Sequence, residues 1–573
     1  MKPDEIRTTL DEVLRRIERL GLTNREESLA LLDGDDGRAH LSTEKTFSLV
    51  KFDADSIQEQ VFASPRPVTI AGASALLRDW DDRLHERVGN DAVVLYSGGG
   101  QAVLLTRANH AKDLRDKLVR EFEEHSGRSP CTTAHVCLSP YELVHGPHDA
   151  RKNIDEATCQ RVGWSPKGGG GFGACMSLLE ANLRQEKGSP KNIAWLPEGS
   201  RVARCVECAE RPRDKQDELC ERCKTNRRHG QRVTKDWEHA RAFEDVIFGP
   251  VKEDGRRESG AGRHLAFVRV DGAGIGGILE KLSTIKQYAT VSYALKEAFE
   301  FKKGELEKLG VPAKRYQLPI AGGDDIMLVV PAKWHQPKSG LAGDAFALAR
   351  DLVKRIEATF DADALRALFL SKPELLEKVR SIGAGVGIVI SSGIPARFCF
   401  DYAYDLIRSS KEAIDERNRD KRSAIDFAVL YGGSPLVSSM QGVRRTMKET
   451  KEISLGESLE GIVHGTARPF TAKEFADFLA CAHRLLKVPR SSLHGLRDMM
   501  DDPQTGLSTV KYQIARNRDL RAALTDINTP LSKLPAEVGH WVLHPTNSRL
   551  EGKRQWVTPL PDLLEVLPFV NPI

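Results

Sequence analysis

Two neighbouring carboxylates at the tip of a glycine turn constrain this chain more than any other feature. The segment Tyr316-Gln-Leu-Pro-Ile-Ala-Gly-Gly-Asp-Asp-Ile-Met-Leu-Val-Val330 sets Asp324 and Asp325 after Gly322-Gly323, between two apolar runs. The pattern predicts a β-hairpin whose tight turn uses glycine's freedom at positive φ. Like charges side by side cost energy unless a cation sits on them, and hard divalent cations such as Mg²⁺ favour such oxygen ligands. A third carboxylate, Asp271, lies 53 positions upstream, where the apolar strand of His264-Leu-Ala-Phe-Val-Arg-Val-Asp271 runs into the turn Gly272-Ala-Gly-Ile-Gly276. A strand-end Asp beside such a turn would bring three carboxylates to one place, a donor set suited to hard divalent cations.

The layout occurs twice. Phe47-Ser-Leu-Val-Lys-Phe-Asp53 ends a first apolar strand, and Val93-Val-Leu-Tyr-Ser-Gly-Gly-Gly-Gln-Ala-Val-Leu-Leu105 makes a second hairpin. Asp53 precedes Gly100 by 47 positions, so the chain reads as an internal duplication. Gly100 and Gln101 replace the Asp pair in the first copy. That copy is expected to hold a nucleotide or a partner, and not two metals.

The chain has 573 residues, room for several domains with separate cores. Its net charge of +4 gives no global basic field, so any nucleic-acid contact has to come from local patches. The charged N-terminus lacks the apolar core of a signal peptide, and no window approaches a membrane span, so no membrane partner and a cytoplasmic location are expected. Of the ten cysteines four are clustered and six scattered, which fits a reducing compartment.

The expected class is α+β: two ferredoxin-like palm domains, a four-cysteine zinc segment and a C-terminal helical domain. Residues 1–44 form an N-terminal helical segment, with helix over 4–32. The first palm, degenerate at its hairpin, spans 45–140 in βαββαβ order, with helices at 71–84 and 108–125. A helical extension occupies 141–190, with the Gly-rich stretch Gly168–Gly173 before a helix over 175–185. A zinc-binding linker covers 191–250, and the polar stretch 252–262 separates it from the second palm at 263–432. There helices are expected at 275–308, 341–359 and 399–416, and strands at 264–270, 382–390 and 423–430. Residues 433–573 are read as the helical domain, with helical periodicity from Thr471 to Leu524 and a strand or turn before a short helix at the end.

Cys205-Val-Glu-Cys208 and Cys220-Glu-Arg-Cys223 make a CxxC–x11–CxxC pattern. Four thiolates on two such knuckles fill a tetrahedral shell, so one structural Zn²⁺ is expected. A redox pair or free thiols would not need two paired units. His229 is read as an exposed histidine and not as a ligand. His148-Asp149 is the only His-Asp dipeptide, and His148 is read as a loop residue. Lys411 lies on a helix that should pass near the acidic site, where it would contact a triphosphate. Arg444, Arg445, Lys448 and Lys451 form one basic run. Arg222, Lys224, Arg227, Arg228 and Arg232 form another beside the knuckles. Either could meet RNA phosphates, although no interleaved aromatics support base reading.

Across nearly its whole length the chain resembles the large subunit of type III CRISPR effector complexes, the Cas-ten (Csm and Cmr large subunit) family. Asp53-Ala-Asp-Ser-Ile-Gln58 resembles the family's D-I-S-G-I-Q motif, with Ser56 where the motif has glycine. Ile70-Ala-Gly-Ala-Ser-Ala-Leu-Leu77 resembles the following L-R-G-A-S-x-L-L helix. Tyr96-Ser-Gly-Gly-Gly100 corresponds to the degenerate hairpin, and the zinc segment, the GGDD palm and the Ala403–Lys411 helix follow in the family order. Arg468-Pro-Phe-Thr-Ala-Lys-Glu-Phe475 and Pro489-Arg-Ser-Ser-Leu493 resemble the C-terminal helical domain. Two departures stand out. The N-terminal HD nuclease of many members is missing, so DNA cleavage is not expected. The family's D-x-D after the first strand of the second palm appears as Asp271-Gly-Ala273.

The resemblance implies an ATP-dependent, GGDEF-like nucleotidyl cyclase of antiviral defence that makes cyclic oligoadenylate. Asp271, with the next backbone carbonyl, Asp324 and Asp325 would hold two Mg²⁺ ions. Gly98, Gly99, Gly100, Gly322, Gly323 and Lys411 would bind nucleotide, with ATP as substrate. Guide RNA, target RNA and other type III CRISPR subunits would be its partners in an effector complex. A stand-alone signalling nucleotidyltransferase, and a non-enzymatic scaffold subunit that binds guide RNA, are the alternatives.

Overall fold

A computed structural model of the chain describes residues 3–34, 40–147, 171–188, 203–214, 217–236, 240, 242–249, 263–279, 281–336, 341–370, 372–415 and 418–432. Beyond these it describes 440, 451–454, 460–464, 466–489, 491–493, 496, 512–524, 544–550, 553–557 and 559–571. His148, Gly168–Gly170, the whole polar stretch 252–262, and Arg444, Arg445 and Lys448 lie outside the described residues.

The architecture is α+β with mixed sheets. The first sheet has the order β2-β3-β1-β4, from β1 (Phe47–Ala54), β2 (Ala92–Gly98), β3 (Gln101–Arg107) and β4 (Cys131–Leu138). The helix Pro67–Val88 joins β1 to β2, and Ala111–Ser126 joins β3 to β4, so the chain follows the expected βαββαβ path. Strand β1 is buried along its whole length. One of its faces packs through Phe52 against Trp80 and Phe122, with ring centroids 5.1 to 5.3 Å apart. Such aromatic pairs add roughly 0.5–1.5 kcal/mol beyond their buried area.

The second sheet is built from β5 (Leu265–Ala273), β6 (Gln317–Gly322), β7 (Asp325–Pro331), β10 (Gly383–Ser391), β11 (Ala424–Leu430) and β14 (Phe470–Thr471), in the order β14-β11-β10-β5-β7-β6. Between β7 and β10 a small pair, β8 (Lys333–Gln336) and β9 (Leu341–Asp344), forms its own ribbon. Strand β6 is the edge, yet it is buried, because the helix Pro67–Val88 of the first copy packs on it. A covered edge is protected from pairing with other chains. One apolar core runs between the two sheets, joining Phe47, Leu49, Val93 and Leu105 to Val268, Val270 and Leu328. On the far face of the second sheet the helix Ala396–Glu412 seats Phe400, Ala403 and Leu406 against Phe267, Met327 and Val389.

Several expectations need correction. Residues 433–573 are not wholly helical: β12 (Lys451–Ser454), β13 (Glu460–His464), β15 (His544–Leu550) and β16 (Lys553–Val557) form a sheet in the order β12-β13-β16-β15. Helices do occur there at Ala472–Leu485, Arg518–Leu524 and Leu560–Val566. The helix expected over 275–308 is broken into Ile275–Leu279, Ile285–Phe299 and Glu305–Lys308. Thr284 caps the middle piece, its hydroxyl accepting from the Gln287 N–H at 3.1 Å. Residues 341–344 are strand, and the helix starts at Ala345 behind Asp344, whose carboxylate accepts from the Ala347 N–H. The first helical segment is two helices, Pro3–Arg19 and Arg25–Asp33.

Candidate active site

The hairpin β6–β7 closes on Gly323 and Asp324, since Gly322 pairs with Asp325 across the ladder. Gly323 has φ +67, which places glycine at the first loop position as a type II′ turn requires. Asp325 then begins β7 and pairs directly with Asp271 on β5. The Gly272 N–H donates to the Asp324 carbonyl at 2.9 Å, which ties the turn to the end of β5. Asp271, Asp324 and Asp325 therefore sit at one end of one sheet, as the spacing predicts.

Their environment is short of positive charge. Burial first, then the Asp271 charge, pushes the Asp324 carboxyl up. Asp325 is raised to about 7, chiefly by burial, against the opposing pull of Arg269. Arg269 Nη2 lies 3.7 Å from Asp325 Oδ2, and the guanidinium stacks on Tyr404. Asp325 Oδ1 is buried with no hydrogen-bond partner. Lys411 Nζ donates to Asp271 Oδ2 at 2.7 Å and to the Gly272 carbonyl at 2.9 Å. Its ammonium thus stands on the carboxylate and carbonyl pair expected to ligate a metal. Gly385, which pairs with Asp271 on β10, leaves room for it: a Cβ there would come within 2.9 Å of Lys411 Cγ.

A cleft of about 460 Å³ opens between the copies, lined among others by Asp53, Arg78, Gly98, Gly99, Asp324 and Asp325. A second lobe of about 310 Å³ shares Tyr96, Gln101, Gly323 and Asp324 with it and adds Gly276 and Arg184. Asp271 and Lys411 line neither lobe; they pair one strand away. Among the described residues no choice of one oxygen from each of the three aspartates brings all three within 4.8 Å of one another. The residues nevertheless fit a divalent cation: an unpartnered buried carboxylate oxygen, clustered acids with raised pKa and an ammonium already in a cation position.

The two hairpins meet tip to tip. A Cβ on Gly99 would lie 3.0 Å from the Gly322 carbonyl oxygen and 3.0 Å from Gly323 N and Cα. Gly99 and Gly100 both have positive φ, at +62 and +77. The registers align the copies residue by residue: Asp53 pairs with Gln101 as Asp271 pairs with Asp325. Ser56, in the position where the motif has glycine, takes the left-handed conformation at φ +50.

The structure adds residues that the sequence did not mark. Lys187, at the end of the helix Phe172–Gly188, lies 2.8 Å from Asp53 and 3.5 Å from Asp55. Only its fold position, on the helix behind β4, matches that of Lys411 behind β10. Asp81 and Tyr96 close the first turn, the Tyr96 hydroxyl donating to the Gly98 carbonyl at 3.2 Å.

The four knuckle cysteines converge, with their sulfurs all within 4.8 Å of one another and Cys208 Sγ 3.8 Å from Cys220 Sγ. Tetrahedral Zn–S bonds of about 2.3 Å require sulfurs about 3.8 Å apart, so the set fits Zn²⁺. Glu207, between the knuckle cysteines, accepts from Ser64 Oγ and Thr69 Oγ1, both at 3.0 Å. Of the adjoining basic run, Arg222 and Lys224 are spent on Glu210 and Asp214, whereas Arg228 and Arg232 face solvent. His229 stands edge-on to His125, away from the four sulfurs. The helix carrying this run crosses Pro67–Val88 at Gly72 and Gly230. A Cβ on Gly72 would lie 1.8 Å from the Asn226 carbonyl oxygen, and one on Gly230 would lie 1.8 Å from that of Val68.

Fold and site together define an α+β protein with two copies of one sheet, an acidic turn in one copy and a zinc-type knuckle. No protein-family model matches the sequence, and no curated protein matches it. Among solved structures, a chain of the apo Csm1–Csm4 cassette matches over 96% of this chain and 72% of its own, at 14% identity and a TM-score of 0.50. Csm1 of T. onnurineus matches over 91% and 70%, at 12% identity and 0.47. The Csm1–Csm4 cassette in complex with cA4 matches over 96% and 72%, at 13% identity and 0.46. The resemblance to the type III CRISPR large subunit thus holds at the level of the fold. Among the described residues no helix is long and apolar enough to cross a membrane.

Proposed function

We propose that the chain is a nucleotidyl cyclase of the Cas-ten family, which joins ATP molecules into cyclic oligoadenylate as the large subunit of a type III CRISPR effector complex. The observation that carries this reading is the tip-to-tip meeting of the two glycine hairpins over a cleft that Asp324 and Asp325 line. The likeness of fold to a chain of the Csm1–Csm4 cassette supports assembly with another subunit; RNA partners and a cytoplasmic location are part of the same proposal. The two sheets are taken as palms, the second catalytic and the first degenerate.

In this reading Asp271, Asp324 and Asp325 would hold two Mg²⁺ ions. Bound there, the ions would supply Lewis-acid stabilisation of the phosphates and acidify an ATP 3′-hydroxyl. Lys411, whose ammonium stands on Asp271 and the Gly272 carbonyl, would contact the triphosphate. Gly322 and Gly323 let the backbone approach one nucleotide, and the Gly98–Gly100 turn seats the other. The seated 3′-hydroxyl attacks the neighbouring α-phosphate in line, forming the P–O bond as the bond to pyrophosphate breaks. Placement and charge neutralisation do most of the work, so no protein general base is required. The four cysteines hold a structural Zn²⁺.

The test is turnover of radiolabelled ATP with Mg²⁺ by the purified chain, alone and with its copurifying subunits and RNA. Cyclic oligoadenylate is the expected product. A different adenylylated product would favour a free-standing transferase, and RNA retention without turnover would favour a scaffold.

A further inference from the structure

We propose that Asp81 is a positioning residue: it locks the first-copy turn in place so that this turn sets the position of the acidic turn in the second copy. This inference rests on the cyclase reading of the site.

Asp81 lies on the helix Pro67–Val88, 4% exposed. Its Oδ2 accepts from the Gly100 N–H at 2.9 Å. Ser97 Oγ donates to its Oδ1 at 3.3 Å and to its backbone carbonyl at 3.1 Å. One side chain thus grips both the strand entering the first turn and the turn itself. That turn, through Gly99, is in contact with Gly322 and Gly323. The residue after Gly323 is Asp324, whose carbonyl is held from the other side by the Gly272 N–H. The acidic turn is therefore clamped between the end of β5 and the first-copy hairpin, and Asp81 anchors the second jaw. The first copy has lost its own carboxylates but keeps the glycines that this contact needs.

The surroundings make Asp81 a neutral hydrogen-bonding group. Burial raises its pKa to about 8. Arg78, Asp82 and His85 on its own helix, Lys296 and Glu300 at the end of the helix Ile285–Phe299, and Arg16 and Glu12 on Pro3–Arg19 are the charged and titratable groups around it. Tyr96 faces it from β2. A neutral acid has nearly the shape of an asparagine amide, whose oxygen accepts the same Gly100 N–H.

The experiment compares the full-length wild type, Asp81→Asn and Asp81→Ala in three measurements: kcat and KM for MgATP, Mn²⁺ affinity without nucleotide by electron paramagnetic resonance, and thermal melting. Expected for Asp81→Ala are a fall in kcat of about tenfold or more, a KM within about twofold and weaker Mn²⁺ binding, because misplacement of roughly 1 Å costs that much. Asp81→Asn should restore kcat to within about threefold of wild type. Gly99→Ala, which presses on Gly322 and Gly323 without touching Asp81, should reproduce the kcat loss and serves if Asp81→Ala does not fold. Wild-type kcat in Asp81→Ala or Gly99→Ala, equal impairment of Asp81→Asn and Asp81→Ala, or a rise in KM alone would each overturn the proposal. If the wild type itself shows no turnover, the cyclase reading fails. The Mn²⁺ titration then decides the positioning role alone, and unchanged affinity in Asp81→Ala rejects it.

Discussion

The two copies share a scaffold and differ in a few atoms at the turn. Both pair a strand-end Asp with a lysine from a following helix, Asp53 with Lys187 and Asp271 with Lys411. Both hairpins carry a register shift on their first strand, between Val94 and Tyr96 and between Gln317 and Ile320. At the tip, Gly100 occupies the loop position of Asp324, and Gln101 the ladder position of Asp325. The copies therefore parted in electrostatics and not in topology. The first turn is all glycine and packs against its twin; the second, Gly322-Gly323-Asp324 with Asp325 next to it, packs equally closely and adds charge that invites a cation.

The largest effect should come from removing that charge. Asp324→Ala with Asp325→Ala should lower ATP turnover by about 1,000-fold or more while the chain stays folded. Turnover near wild type in the folded double variant would break the distinction between the copies. Restoring the missing charge should fail: Gly100→Asp puts a Cβ 2.9 Å from Ile57 Cδ1 at φ +77. It should cost about 1–3 kcal/mol in chemical denaturation and add no activity. The two lysines sharpen the comparison. Lys411→Ala should lower kcat by about tenfold to a hundredfold, and Lys187→Ala should act mainly on the KM for ATP. Equal kcat losses would mean the copies share the chemistry.

Outside the duplication, elemental analysis should find one zinc per chain, and Cys220→Ser should remove it and lower the melting temperature by about 5 °C or more. Full metal content in the variant would show that the thiolates are not the ligands. The smallest effect concerns pH. Folded Asp81 keeps its proton up to about pH 8, whereas the unfolded chain releases it near 3.8. The native state binds the extra proton, so stability should fall as pH rises through that window. Asp81→Asn should make the fall in melting temperature between about pH 5 and 8 shallower, with Asp325 and Glu300 contributing the rest. An unchanged slope would show that the proton sits elsewhere.

The acidic hairpin, the strand ending at Asp271 and the cysteine knuckles were legible because each rests on local chemistry. A turn needs glycine, and a tetrahedral metal needs four thiolates at short spacing. Lys187 and Asp81 were not legible, because each becomes informative only when a sheet brings a distant segment to it. The strands at 451–464 and 544–550 were missed for a different reason. Lys451-Glu-Ile-Ser454 and His544-Pro-Thr-Asn547 are short and polar, without the alternation that marks a half-buried strand. The break before Ile285 was visible in principle, since Ser283-Thr284 followed by Gln287 is an N-cap pattern inside a helical periodicity.

The crossing at Gly72 and Gly230 has a mechanical consequence. Two backbones in direct contact act as a fulcrum, because neither helix can slide closer or roll without collision. Asp81 lies nine residues beyond Gly72 on the same helix, about 13 Å along its axis. A tilt of about 5° at the fulcrum therefore moves Asp81 by about 1 Å, comparable to the tolerance of a catalytic geometry. Glu207 grips Thr69 on the short arm, next to the cysteines. The cysteine knuckle and, through Asp81, the first-copy turn thus hold the same helix on opposite sides of this crossing.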